Sequence, residues 1–334
     1  MQTDLIKWFD NHQRLLPWRS TTDPYAIWLS EIILQQTRID QGLEYWEIFL
    51  KKFPTVKSLS KAKESEILAL WSGLGYYSRA RNIYQAAQII VSKFQSEFPK
   101  TSSELLKLPG IGPYTAAAIS SICFGEVSPA LDGNAFRVYS RLFAISSPIE
   151  KKSTIKEISA LALPLLSKKR PGDSNQAIMD IGSTICKPKK PNCPACPFEE
   201  NCISRRSGNQ HNFPVKLKSI KIKEVDKFYV FLRKNDTYGF TLRPKTGIWG
   251  GLWTPLELNF EDWELAKKSK NIQKGNIKYQ KHLLTHRKMN LYFSDWIGEI
   301  YPKNEEIQWF SNQDLKRLAF PAPILKILNE KSYI

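Results

Sequence analysis

The stretch LPGIGPYTAAA, Leu108 to Ala118, decides the fold. Two helical segments flank a turn in which Gly110 and Gly112 alternate with Pro109 and Pro113, the form of a helix–hairpin–helix. Glycine lets the backbone turn tightly, and a proline at the first helical position suits the helix that follows. The turn leaves backbone amides at a helix N-terminus, where dipole and hydrogen bonds can hold a phosphate. Gly110 and Gly112 are therefore candidate contacts for a phosphate backbone.

Outward from the hairpin, residues 1–203 read as almost wholly helical. Asp23-Pro24 reads as an N-cap followed by a proline at the first helical position, opening a helical run from Tyr25 to Phe53. Gly73-Leu74-Gly75 interrupts the pattern before a helix from about Ser78 to Phe94. Leu131-Asp132-Gly133-Asn134 is another turn, followed by helices at about 135–143, 153–163 and 175–185.

Two carboxylates stand out against this helical background. Glu31 lies in WLSEIILQQT, flanked by Trp28, Ile32 and Ile33, where desolvation raises a carboxyl pKa and fits it to donate a proton near neutral pH. Asp132, in a turn beside a helix N-terminus, is expected to stay ionised. An acid paired with an anion is the division of labour that cleaves glycosidic bonds through an oxocarbenium-like state.

Of five cysteines, Cys186, Cys193, Cys196 and Cys202 fall within 17 residues, separated by six, two and five. An odd count in a chain expected to be intracellular argues against a disulfide framework. Four thiolates in one loop can close around zinc or a cubane iron–sulfur cluster, and the long gaps fit poorly with the paired short knuckles of a zinc finger. Pro188, Pro191, Pro194 and Pro197 stop the segment from continuing as a helix. Cys123, in AAAISSICF, reads as a small core residue.

The stretch 204–226 is polar and basic and reads as a linker. Beyond it KFYVFLR, YGFTLRP, IWGGLWTPL and MNLYFSDWIGEI are short β-branched or aromatic runs. With helices around 261–270 and 322–331 they make an α+β module at 227–334. The chain has 334 residues, 42% hydrophobic and 24% charged, enough to bury a core in each of two domains. Its 49 basic against 32 acidic side chains leave +17, which favours a polyanionic partner. Residues 1–210 hold 27 of the basic and 19 of the acidic groups, so the excess is denser in the C-terminal third. No apolar run is long enough to span a membrane, and Met1–Ser20 lacks a signal peptide's apolar core. The expectation is a cytoplasmic, nucleoid-associated protein if bacterial, acting as a monomer.

Taken together, PWR (17–19), SEIILQQT (30–37), GLGYYSRARN (73–82), LPGIGPYTAAA, LDGN (131–134), NQAIMDIG (175–182) and the cysteine spacing resemble the adenine DNA glycosylases, helix–hairpin–helix enzymes with a 4Fe–4S cluster. The resemblance implies a multidomain α and α+β fold. Its all-helical glycosylase core (1–203) would carry the cluster loop at 186–202 and be followed by a Nudix-like 8-oxoguanine recognition domain. It implies double-stranded DNA containing adenine opposite 8-oxoguanine or guanine as partner and a 4Fe–4S cluster on the four cysteines as cofactor.

By the same resemblance Glu31 protonates adenine at N7 and Asp132 stabilises the cationic sugar. Tyr114 and Asn134 shape the pocket around them, and Arg14 and Gln176 border the extruded adenine. Gln36, Thr37, Leu74 and Tyr76 probe the duplex around the facing 8-oxoguanine. Extrusion is required because the glycosidic bond is unreachable within the stack. Relatives that also cut the backbone carry a lysine where this chain has Tyr114, and a phenol cannot form a Schiff base. A monofunctional glycosylase is expected.

In the C-terminal module, Leu284, Thr285 and His286 match a family Phe-Ser-His loop that inspects the damaged base; here the aromatic ring is replaced by leucine. GGLWTPLELNFEDWELAKK lacks the glutamate-rich core of a Nudix hydrolase, so the module is expected to recognise rather than hydrolyse. Two other readings are open. One is a pyrimidine-directed glycosylase on the same scaffold. The other is a non-catalytic iron–sulfur DNA-binding protein, which explains charge, hairpin and cysteines but not Glu31 with Asp132.

Overall fold

The computed structural model describes residues 1–217, 222–284, 287–298 and 306–333. Contacts group the chain into two units, Met1–Lys61 with Asn82–Lys218, and Ala62–Arg81 with Ser219–Ile334. No helix among the described residues is long and apolar enough to cross a membrane.

The first unit is helical. The helix Pro24–Ile33 opens as the sequence suggests, with the Asp23 side chain accepting from the Tyr25 amide at 3.1 Å and Pro24 at the first turn. Trp28, Leu29 and Ile33 are fully buried along it. The helical run from Tyr25 to Phe53 is not continuous. It breaks at 34–38 and resumes as Ile39–Lys52, because Gln36 adopts a left-handed backbone (φ 56°) that no helix accommodates. Apolar spacing alone cannot reveal such a turn, since both halves bury the same kind of face.

The hairpin consists of a four-residue helix, Ser102–Leu105, the turn, and the helix Pro113–Phe124, capped at its start by Gly112. Gly110 needs to be glycine twice over. Its φ is +78°, and a Cβ there would lie 2.6 Å from the Asn82 Cβ. The helix Pro171–Thr184 packs on Gln2–His12, Pro113–Phe124 and Gly133–Leu142. Two glycines permit this approach: a Cβ at Gly172 would meet the Ile122 Cα at 2.7 Å, and one at Gly182 the Asn134 Cβ at 2.5 Å. Leu5, Phe9, Val138, Tyr139, Ile158, Ile178 and Phe198 are among the buried side chains of this core.

In the second unit a seven-stranded sheet runs in the order β3 (Trp253–Thr254), β2 (Thr237–Leu242), β1 (Lys223–Lys234), β6 (Arg287–Asp295), β5 (Lys278–Leu284). Off this path β4 (Leu256–Leu258) pairs with β1, and β7 (Ile307–Ser311) pairs with β2. Among the described residues only β1 and β6 pair in parallel, in register from Lys223 opposite Arg287 to Phe231 opposite Asp295. Tyr229, Val230, Phe231 and Leu232 are buried in succession because both faces of β1 are covered. Tyr229 and Phe231 pack with Phe293, Phe320, Ile324 and Leu328 on the side of the helix Ala322–Glu330. Val230 and Leu232 pack with Leu256, Trp263 and Ala266 on the side of the helix Phe260–Lys268.

The sequence reading missed β5 and β7. In KYQKHLL the exposed positions carry lysines, tyrosine and leucine, so an edge strand looked like loop. The stretch read as linker holds a short helix, Ile203–Arg206, and the first residues of β1. The segment 62–81 joins the sheet's unit through the helix Glu64–Leu70 and the GLGYY turn. There the Tyr77 hydroxyl donates to the Phe320 carbonyl at 2.5 Å, and the Trp71 indole donates to the Gly75 carbonyl at 3.0 Å.

Candidate active site

The first unit encloses a cleft of about 730 Å³. It is lined by the hairpin, the end of the Pro24–Ile33 helix with the turn after it, the Asp132 turn and the Pro171–Thr184 helix. Ten residues singled out from the sequence border it: Glu31, Tyr114, Asp132, Asn134, Arg14, Gln36, Thr37, Gln176, Gly110 and Gly112. Leu74 and Tyr76 do not. They line a separate cavity of about 390 Å³ in the second unit, together with Leu284. Thr285 and His286 lie outside the described residues.

Burial pushes the Glu31 carboxyl up to about 7. A hydrogen bond with Tyr114 and the charge of Arg19 pull it down, while the negative charge of Asp132 pushes it further up. The Tyr114 phenol is driven well above its ordinary value, first by burial and then by the two carboxylates, so it stays protonated beside Glu31. Its hydroxyl also lies 3.6 Å from the Met179 sulfur.

Asp132 caps the Gly133–Leu142 helix. Its Oδ1 accepts from the Ala135 amide at 2.7 Å and its Oδ2 from the Asn134 Nδ2 at 2.8 Å. One cap thus fixes the carboxylate in the cleft while satisfying the helix end. Asn134 is held in turn: its Oδ1 accepts from Arg137 Nη2 at 2.8 Å, and Arg137 donates onward to the carbonyls of Gly182 (2.6 Å) and Cys186 (2.7 Å).

Several functional side chains escaped the sequence reading. Asp180, fully buried, accepts from Arg14 Nε (2.6 Å) and from Arg19 Nη1 (2.7 Å) and Nη2 (3.0 Å). It anchors both arginines at the cleft, and the signal was available: an acid set between Met179 and Ile181, in the run Ala177–Ile181 that is otherwise apolar, needs a buried partner. Arg141 is 2% exposed, and its guanidinium donates to the carbonyls of Lys187 (2.8 Å), Pro188 (2.9 Å) and Gln210 (2.9 Å). It thereby ties down both sides of the cysteine loop, a role that only the tertiary structure exposes.

Cys186, Cys193, Cys196 and Cys202 line one small cavity with Arg141, Arg205 and Gln210. Arg141 Nη1 is 3.3 Å from the Cys186 sulfur and Gln210 Nε2 3.7 Å from the Cys193 sulfur. Burial, then the neighbouring thiols, push Cys196 up to about 12. Repulsion among crowded thiolates is what a positively charged centre relieves, so the donor set fits a thiolate-ligated metal group. Among the described residues no group of three or more His, Cys, Asp or Glu is disposed to hold a single ion.

A family model for the HhH-GPD superfamily of base excision DNA repair proteins matches residues 29–163, and one for the NUDIX domain matches 228–330. An adenine DNA glycosylase of Buchnera aphidicola (from Schizaphis graminum) is 33% identical over 97% of this chain and 96% of its own length. The chain belongs to the adenine DNA glycosylase family. The human adenine DNA glycosylase is 39% identical over 62% of this chain and 39% of its own length. Among solved structures, a thermostable thymine-DNA glycosylase aligns with a TM-score of 0.57 at 27% identity, covering 62% of this chain and 95% of that one. An endonuclease III trapped on DNA aligns at 0.52 and 23%, a likeness of fold. The expected fold, a helix–hairpin–helix core with a Nudix-like C-terminal domain, is the one this glycosylase-family chain has.

Proposed function

We propose that the chain is a monofunctional base-excision-repair glycosylase that releases adenine mispaired with 8-oxoguanine or guanine. The observation that carries the reading is a carboxyl raised to about 7, Glu31, sharing one cleft with the capped carboxylate of Asp132. In this reading adenine is extruded into the cleft, bordered by Arg14 and Gln176. Glu31 donates its proton to N7, making the base a neutral leaving group. As the C1′–N9 bond breaks, Asp132 faces the cationic sugar, and water then adds to C1′ while its proton passes to the Glu31 carboxylate. Asn134 holds Asp132 in position, and Tyr114 keeps Glu31 within reach of the base. No amine stands where Tyr114 is, which supports base removal without Schiff-base strand cleavage. Gly110 and Gly112 take the DNA backbone, and Gln36 and Thr37 meet the duplex beside the lesion.

The four cysteines are read as the ligands of a 4Fe–4S cluster, which, when bound, folds the loop bearing Lys187, Lys189 and Lys190 into a rigid basic surface for phosphates. Residues 1–203 act as the catalytic core, with the segment 62–81 grouped by its contacts with the sheet, 204–226 as the linker and 227–334 as the recognition domain. The base opposite adenine is read by that domain, with Leu74, Tyr76, Thr285 and His286 as contacts. The enzyme works as a monomer on the cell's own DNA in the cytoplasm.

Single-turnover cleavage of duplexes with A opposite 8-oxoguanine, G and T, resolved before and after alkali, tests this. The reading expects adenine release at the first two, with strand breaks only after alkali. Cutting of a T·G mispair or an oxidised pyrimidine instead would move the substrate to a pyrimidine, and binding without any cleavage would remove the catalytic role.

A further inference from the structure

The 390 Å³ cavity of the second unit brings together two loops that are distant in sequence, and its walls are built in an unusual way. Tyr76 (φ 47°) and Trp249 (φ 55°) both sit in the left-handed backbone region, which bulky L-residues avoid. Such strain persists only where the surrounding structure imposes it, and it clusters at ligand-binding positions. The Trp249 loop is pinned: Arg243 Nε donates to the Ile248 carbonyl at 3.0 Å, and the Gly251 amide to the Pro244 carbonyl at 2.9 Å. The His282 ring, on β5, lines the same cavity and packs against the Trp249 ring, 5.7 Å between centroids at an interplanar angle of 49°.

Arg81 is the one lysine, arginine or carboxylate residue lining the cavity among the described residues. Its Nε and Nη2 are buried without a hydrogen bond, and the Glu64 carboxylate is 3.5 Å from Nε. Three rings, a guanidinium whose Nη2 is buried without a hydrogen bond, and no carboxylate among the described lining residues describe a site for a flat, carbonyl-bearing ring. Leu284, where the family pattern has an aromatic residue, borders the same space.

We propose that Trp249 and His282 are specificity-determining residues that read the base opposite the adenine in this cavity, supplying the aromatic contact that Leu284 lacks. The inference rests on the adenine–8-oxoguanine reading above. Oxidation of guanine at C8 adds a carbonyl acceptor and turns N7 from an acceptor into an N–H donor. Burial lowers the His282 pKa, so the ring is neutral near pH 7 and offers an acceptor nitrogen to that N–H. Guanine, with a bare N7, makes no such bond. Trp249 and Tyr76 supply faces for the ring, and Arg81 makes the cavity electropositive toward the carbonyl oxygens.

The test uses the full chain carrying Glu31→Gln to block turnover. Dissociation constants are measured for duplexes with A opposite 8-oxoguanine and A opposite G, and their ratio is followed. Trp249→Leu is expected to reduce the preference for 8-oxoguanine about tenfold, and Trp249→Phe, which keeps a ring, less than about threefold. His282→Phe, which keeps a ring and loses the nitrogens, should reduce it by a similar factor to Trp249→Leu. In all three, binding to the duplex with 8-oxoguanine should weaken more than binding to the A·G duplex. An unchanged ratio in both Trp249→Leu and His282→Phe overturns the inference while leaving the glycosylase reading intact. Failure of the parent chain, with Glu31 restored, to release adenine from either duplex sinks that reading and the inference with it.

Discussion

Tyr114→Phe should move the alkaline limb of the pH–rate profile upward. The phenol hydrogen-bonds Glu31 and holds its carboxyl below the value that burial alone would set. With Glu31 as the proposed acid, activity follows its protonated fraction: flat at low pH, bending near the group's value of about 7, then falling about tenfold per pH unit. A hydrogen bond of this kind contributes about 1 kcal/mol net, and one pH unit corresponds to about 1.4 kcal/mol. Removing the hydroxyl therefore shifts the bend up by somewhat under about one unit. The variant loses rate on the plateau if the phenol positions the acid, but the direction of the shift is independent of that loss. The assay is single-turnover adenine release between about pH 5 and 9, at enzyme concentrations below saturation, where the profile reports groups of the free enzyme. A wild-type bend near the ordinary value of 4.5 refutes the burial argument, and a downward shift in the variant refutes the hydrogen-bond argument.

Glu31→Gln carries a stability consequence of definite sign. The folded-state value lies above 4.5, so the acid's contribution is fully present below that pH and is lost as pH rises through about 7, by up to about 3 kcal/mol. Thermal melts should show the glutamine variant above the parent at pH 8 and level with it at pH 4. Asp180→Asn leaves Arg14 and Arg19 without their buried counter-ion and should cost about 3–5 kcal/mol in urea unfolding. Gly182→Ala places a methyl 2.5 Å from the Asn134 Cβ and so displaces the group that holds Asp132. Its single-turnover rate should fall about a hundredfold with DNA affinity little changed. Arg141→Gln removes donors from the carbonyls on both sides of the cysteine loop, and should lower both iron content and melting temperature.

The hairpin, the acid–anion pair, the cysteine loop and the α+β module were all legible in the sequence, because each is written in local spacing: glycines at a turn, an acid inside an apolar helix, thiols close together in the chain, aromatic runs between turns. The broken helix at 34–38 was not, since a left-handed Gln36 leaves no periodic trace. Nor were β5, an edge strand whose exposed positions mix lysines with tyrosine and leucine, and β7, five residues long with no clear alternation of polar and apolar side chains.

What the sequence by itself determined was the chemistry available: which acid is desolvated, which carboxylate caps a helix, and which four thiols share a loop. Only the tertiary structure decided how those groups are held. Asp180 reaches Arg14 and Arg19 across more than 160 residues of chain, Arg137 joins Asn134 to Cys186, and Trp249 meets His282 and Tyr76 around a cavity. Such pairings leave no mark in local spacing, because a buried charge or an aromatic wall acquires its partners from whatever the packing brings alongside.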